Sequence, residues 1–305
     1  MNELSFPAIS STIVIMTPFL LAAMGGAFSA ISGVLNIALE GLMLNAAFFA
    51  IVFTNLTGSL VLGITGAILA TLLLTALFGA VAFGLKANIF ICGLATNFLA
   101  IAMSIVLAHT FYGRTGSIQF PGMPRLVPLN IPIVENIPIL GDIFSGHNAI
   151  VYVSWVLLII AAIVINRTPF GMRLRAVGVN EKAAKAIGIN AKRIQFTALL
   201  ISGFTCALGG VVLTLTLGAF VPNVTSGRGW IALVIVYLGR KKPIGILIGS
   251  IVFGFVEYMS NNLQTTSDIP SGLLLSLPFF ATVVALVVYS VVEQTMAKRG
   301  LLKTK

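Results

Sequence analysis

The chain has 305 residues, 58% of them hydrophobic and 9% charged, with a mean hydropathy of +1.07. A soluble domain averages about 45–50% apolar and about 25% charged residues, so this balance excludes an ordinary globular protein and points to an integral membrane protein. Net charge is +10, yet apolar runs of membrane length separate the bases, which argues against nucleic acid as a partner. Cys92 and Cys206 stand singly in apolar segments, with no spacing that suits a metal or a redox pair.

A hydrocarbon core of about 30 Å takes roughly 20 apolar residues per helix. Spans are therefore predicted at about 11–33, 36–54, 59–82, 88–111, 148–166, 194–217, 229–239, 244–263 and 272–292. The opening "MNELSFPAIS" lacks a basic region and a small-residue cleavage site, so the first segment is expected to stay as a span. The fold class expected is all-α and membrane-embedded, with about nine transmembrane or partly re-entrant helices. The second segment carries Asn36, Glu40 and Asn45, and the seventh is too short to cross alone; both are candidates for broken elements lining a cavity.

Orientation follows from Lys and Arg. If the nine segments alternate and the tail "MAKRGLLKTK" is cytoplasmic, fifteen of the eighteen bases fall inside, among them Lys86, the seven from Arg167 to Arg193 and the three from Arg240 to Lys242. Arg114, Arg125 and Arg228 lie outside or in the outer half, with Glu3, Glu135, Asp142 and Asp268. The N-terminus is then extracellular. Residues 112–147 hold five prolines and read as an ordered external loop, either a connector or a platform for an extracellular partner. "SGVLNIALEG" and "TSGRGWIAL" echo one another, which suggests halves at about 11–112 and 194–292. Four spans, one span and four spans force those halves into opposite orientations, as in many transporters.

Several polar groups sit at membrane depth. A carboxylate at a helix centre costs on the order of 2.5–3.5 kcal/mol on insertion scales, so Glu40 either hydrogen-bonds backbone at a helix break or faces a translocation path. Asn36, four residues earlier, is expected on the same helical face. Glu257 and Asn261 repeat that spacing, and Asn97 with Phe98 adds an amide and a ring. Such an inventory suits a neutral polyhydroxylated solute, and equally interhelical hydrogen bonding. In "VPNVTSGRGWIAL", Asn223 and Ser226 precede Arg228, and Ser226 or Thr225 is expected to cap the helix starting there. Arg228 either points into the path or snorkels outward. His109 and His147 fall near outer helix ends, where interfacial placement explains them.

Residues 167–193, "RTPFGMRLRAVGVNEKAAKAIGINAKR", form the longest polar stretch predicted on the cytoplasmic side. Asn180 can cap a short helix from Glu181, with Gly188 ending it. A short capped helix beneath a bundle either docks in a groove on a soluble partner or touches anionic lipid.

The segment "GMRLRAVGVNEKAAKAIGINAKRIQFTALLISGFTCALGG" resembles the coupling segment and following helix of bacterial ABC-importer permeases of the branched-chain amino acid, ribose and nucleoside branch. "SGVLNIALEGLML" and "TSGRGWIALVIVYLGRKKPIG" resemble two further signatures of its simple-sugar and nucleoside permeases. The likeness runs from about residue 12 to 292 and implies one permease domain over 1–305, with a coupling segment at 167–193 and a cytoplasmic tail at 293–305. It implies a subunit of the bacterial cell membrane that imports a small polar solute, most like the nucleoside permeases, with simple sugars as the alternative. Its partners would be an ABC ATPase, a second permease (a relative or a second copy), an extracellular binding protein and lipid. The chain itself would bind no cofactor, ATP and Mg belonging to the ATPase; no G-x-x-x-x-G-K-[ST] occurs here. Ala183, Ala184 and Gly188 match the coupling motif, within a peg that also holds Glu181, Lys182 and Lys185; Lys182 stands where the family has an acidic residue. Two other classes are weighed against this reading: an ion-coupled secondary transporter using Glu40 and Glu257, and a membrane enzyme, for which no nucleophile or metal-ligand set is evident.

Overall fold

In a computed structural model the protein is described over residues 5–113, 116–131, 140–267 and 269–298. Glu3, Arg114, Glu135, Asp268 and the end of the tail, 299–305, lie outside the described residues. The elements are α1 (Ser5–Ile31), α2 (Leu39–Thr57), α3 (Leu60–Gly79), a π-helical turn (Ala80–Gly84), α4 (Ile89–Tyr112), β1 (Ile118–Gln119), β2 (Pro128–Leu129), α5 (Leu140–Phe144) and β3 (His147–Asn148). They continue with α6 (Ala149–Arg167), α7 (Pro169–Val179), α8 (Glu181–Ala186), α9 (Ala191–Leu215), β4 (Ala219–Phe220), α10 (Arg228–Leu238), α11 (Pro243–Thr266) and α12 (Ser271–Lys298). Among the described residues, eight helices are long and apolar enough to cross a membrane. The seventh predicted segment, α10, has 11 residues and is about 16 Å long, too short to cross.

Five of these helices begin where a local side chain receives free N–H groups of the first turn. Asn88 accepts from the backbone of Phe90 and Ile91, Asn148 from Ile150 and Val151, Thr168 from Gly171, Asn180 from Ala183, and Asn190 from Arg193. Gly58 and Gly113, both with positive φ, end α2 and α4. α3 and α11 start without a side-chain cap, α11 with Pro243 at its first position. Neither α2 nor α10 has a cap from its own preceding residue.

The packing pairs the two halves. α1 lies against α9, α10 and α11, while α9 lies against α1, α2 and α3. α2 packs on α3 and α4, and α10 on α11 and α12; α2 and α10 also touch each other. Exchanging α1 with α9, α2 with α10, α3 with α11 and α4 with α12 therefore maps each set of contacts onto the other. The interior is built from α1, α2 and α9, whose span windows are 89, 78 and 78% buried, against 11% for α12; α12 is thus left to face lipid or a partner. Small residues bring the inner helices together, since dispersion at short range replaces the hydrophobic effect within lipid. A Cβ on Gly210 would stand 2.0 Å from the Met43 carbonyl oxygen, and one on Gly203 2.2 Å from Thr75 Oγ1.

Three sequence expectations need correction. α2 begins at Leu39, not at 36, because Asn36 turns the chain before the helix, so Asn36 and Glu40 do not share a helical face. α7 is a full helix started by Thr168 and Pro169, in a polar stretch where only the short helix from Glu181 was expected. His147 is fully buried, its Nε2 3.0 Å from the Ile143 carbonyl and its ring among Tyr152 and Trp155, not at an interface. The segment expected to be external is fastened to the chain leading into α10: β1 pairs antiparallel with β4 (Ile118 with Phe220), and the Leu126 N–H donates to the Leu215 carbonyl at 3.0 Å.

Replacing Gly210 by Ala pushes α2 and α9 apart and is expected to lower stability by about 1–3 kcal/mol, read as a reduced unfolding midpoint in detergent. Gly84→Ala, with nothing within 4 Å of its new methyl, leaves the midpoint unchanged. Equal midpoints for the two variants would contradict this packing.

Candidate solute path and coupling segment

The missing caps of α2 and α10 are supplied from elsewhere in the fold. Glu40, in the first turn of α2, accepts from the Gly227 N–H through Oε1 (2.8 Å) and from the Gly229 N–H through Oε2 (2.7 Å). One carboxylate thus satisfies two free donors of α10 while lying in the first turn of its own helix. Both helix ends carry partial positive charge, so the acidic group is stabilised twice. The approach needs glycine: a Cβ on Gly229 would fall 2.4 Å from the Glu40 backbone nitrogen.

The corresponding service to α2 comes from α4. Asn97 Oδ1 accepts from the Gly41 N–H at 2.7 Å, and its Nδ2 donates to the Ile37 carbonyl at 3.0 Å. Asn36 Oδ1 accepts from the Ala38 N–H (3.0 Å) and its Nδ2 donates to Ser202 Oγ on α9 (2.9 Å). Asn45 donates to Thr71 Oγ1 on α3 at 3.2 Å. All four residues are buried, with these capacities used inside the protein. Phe98 is 68% exposed and points away from the interior that Asn97 enters.

The expected local cap of α10 is not made. Gly227 is its N-cap, at φ 82°, and Ser226 Oγ donates instead to the Asn223 carbonyl (3.0 Å). Arg228 folds back along the preceding loop, donating to the Val224 carbonyl at 2.8 Å, and forms an ion pair with Glu257 of α11. It does not snorkel to the surface. The pair borders a cavity of about 190 Å³ with Ser226, Ser260, Asn261 and Phe279 among its walls. Asn223 lies exposed outside it. Sequence reasoning missed Ser260 and Phe279; Phe279 is one aromatic among many on α12, and only the fold puts its ring against Gly227.

At the other end of the bundle, α7 and α8 share Asn180 as the C-cap of one and the N-cap of the next. Ala184 is buried with Val177 and Ala191, which turns Lys182, Ala183, Lys185 and Gly188 outward. Glu181 pairs with Lys185 at 2.5 Å along the helix, and that hydrogen bond holds its carboxyl below the usual carboxylate range.

Residues 8–292 match the family described as the permease component of the branched-chain amino acid transport system. Among relatives, the chain is 33% identical to NupQ of Bacillus subtilis, a guanosine ABC transporter permease, over 91% of this chain and 90% of that one. It is 30% identical to the nucleoside permease NupC of Lactococcus lactis, over 92% and 91%. It is 24% identical to the glucose permease TsgB13 of Haloferax volcanii, over 87% and 72%. Its fold is similar to PsaBC of Streptococcus pneumoniae (TM-score 0.53, 12% identity, 93% and 92% covered) and to an inward-facing transporter described as metal-chelate type (TM-score 0.55, 19% identity, 93% and 85% covered). The chain belongs to this family of permeases and is a multi-pass membrane subunit of an ABC importer.

Glu40→Gln keeps the shape of the cap but turns an amide N–H₂ toward one backbone donor, leaving it unpaired. The expected loss is about 1–3 kcal/mol, measured as a lower thermal midpoint of the solubilised protein; an unchanged midpoint would contradict the cap.

Proposed function

We propose that this permease carries nucleosides across the bacterial cell membrane, received from an extracellular binding protein, with ATP and Mg bound by a separate ATPase. The solute class is supported by the whole-chain likeness to NupQ and NupC at 33 and 30% identity. The site is supported by the cavity at the start of α10. There a guanidinium, a carboxylate, an amide, two hydroxyls and the Phe279 ring converge, a donor and acceptor set with one aromatic face that suits a sugar joined to a base.

In this reading Arg228, Glu257, Ser226 and Asn261 meet the solute. Glu40, Asn36, Asn45 and Asn97 hold the broken helices that form the wall. Asn223 stands at the entrance, and Phe98 belongs to the outer face of α4. The partly buried ion pair has no net charge, which favours a neutral solute over a phosphorylated one. The halves are inverted, the N-terminus is extracellular, and the bases of α7, α8 and the α10–α11 turn lie in the cytoplasm, where α8 docks on the ATPase. A second permease, a related chain or another copy, completes the path opposite.

The test is competition for uptake by the reconstituted complex. Purine ribonucleosides are expected to compete with labelled guanosine, while ribose, glucose and nucleoside monophosphates do not; competition by the sugars alone would overturn the nucleoside assignment. Glu257→Gln leaves Arg228 without its counter-charge, a loss of about 3–5 kcal/mol where such a pair is fully buried. Because Arg228 is one-fifth exposed, about a tenfold fall in uptake is expected, a figure set by the scale of 1.4 kcal/mol per factor of ten. Wild-type uptake by this variant would remove the pair from the path.

A further inference from the structure

The coupling helix and the capped helix starts lie at opposite ends of one line of contacts. α7 and α8 form a single elbow, joined through Asn180 and packed on α9 by Val177, Ala184 and Ala191. This elbow grips the turn at the end of α1 in two places. Gly178 of α7 abuts it so closely that a Cβ there would stand 1.8 Å from the Ile31 carbonyl oxygen and 3.1 Å from the Gly33 nitrogen. Gln195 of α9 is buried, and its Nε2 reaches both Glu181 Oε2 on α8 (3.4 Å) and the Ser32 carbonyl (3.5 Å).

Beyond the turn the chain is fastened at each step. Gly33, at φ +84°, leads into a short irregular stretch that Asn36 pins to Ser202 and to Ala38. α2 then begins, and its Glu40 holds Gly227 and Gly229 at the mouth of the cavity. A second strand of the same connection runs to the far end of α10. Lys241, in the turn after α10, donates from Nζ to the Ala30 carbonyl of α1 at 2.9 Å. The end of α1 therefore touches the elbow on one side and reaches both ends of α10 on the other. Close-packed contacts of this kind transmit displacement because they have little room to yield.

We propose that Gln195 is a positioning residue for transport, which together with the Gly178 contact ties the coupling helix α8 to Glu40, so that a push on α8 shifts the start of α10. The proposal rests on the docking of the ATPase at α8 set out above. Gln195 touches neither the cavity nor the outward face of α8, so its effect is confined to the link between them.

The experiment uses the complete complex in lipid nanodiscs, with permeases, ATPase and binding protein. It reads ATP hydrolysis without and with solute-loaded binding protein, and solute moved per ATP. Gln195→Leu, close in volume and unable to bridge, is expected to assemble and to keep its unstimulated hydrolysis, while stimulation falls by about fivefold, within the range of coupling effects. Gly178→Ala is expected to do the same by parting α7 from Ile31. The double variant should lose no more than the worse single one, since both interrupt one link. Stimulation at the wild-type level in Gln195→Leu, additive losses in the double variant, or failure of Gln195→Leu to assemble would each overturn the proposal. If Gly178→Ala alone fails to assemble, Gln195→Leu carries the test. A wild-type complex indifferent to the loaded binding protein would instead overturn the docking of the ATPase on which the proposal stands.

Discussion

A helix that starts inside an apolar environment must find partners for its first N–H groups without water, and this requirement organises the protein. α2 and α10 both start in the interior, and neither is preceded by a residue that caps it. Glu40 meets the need of α10 and Asn97 that of α2. A carboxylate that would cost a few kcal/mol in lipid is placed where two helix ends are positive and two backbone donors are free. Its cost is offset by what it satisfies, which is why so apolar a chain keeps it.

The same arrangement frames the cavity. Two helices that start in the interior leave space that continuous ones would fill, and the ion pair of Arg228 with Glu257 borders that space. The relation between α2 and α10 is not a copy. α10 is held by a charged group and α2 by an amide, and the cavity lies at the α10 side. The half carrying α10 therefore holds the polar groups that border the cavity, which we propose meet the solute, and the half carrying α2 holds them in place.

The spans were legible because hydropathy over about 20 residues is a property of the segment itself. α8 was legible for a similar reason: Asn180, Glu181 and Gly188 lie within nine positions and set its start and end locally. The start of α2 was misread because Asn36 looks like a helical polar residue until its side chain is seen receiving the Ala38 N–H. The cap of α10 was out of reach of local reading, since Glu40 lies 187 residues from Gly227 and Ser226 was the nearer, chemically sound choice. Of the two roles open to Glu40, the fold makes the backbone contact explicit. The placement of Phe98 and Gln195 likewise depends on which side of α4 or α9 faces a neighbour, and the weak amphipathicity of helices in lipid does not announce it.

Amide hydrogen exchange at Gly227 and Gly229 tests the central claim most directly. Both N–H groups are predicted to be strongly protected in the wild-type protein, and to lose that protection selectively in Glu40→Ala while the amides of α1 and α9 keep theirs. Fast exchange at both glycines in the wild-type protein, or protection that survives removal of the carboxylate, would contradict it.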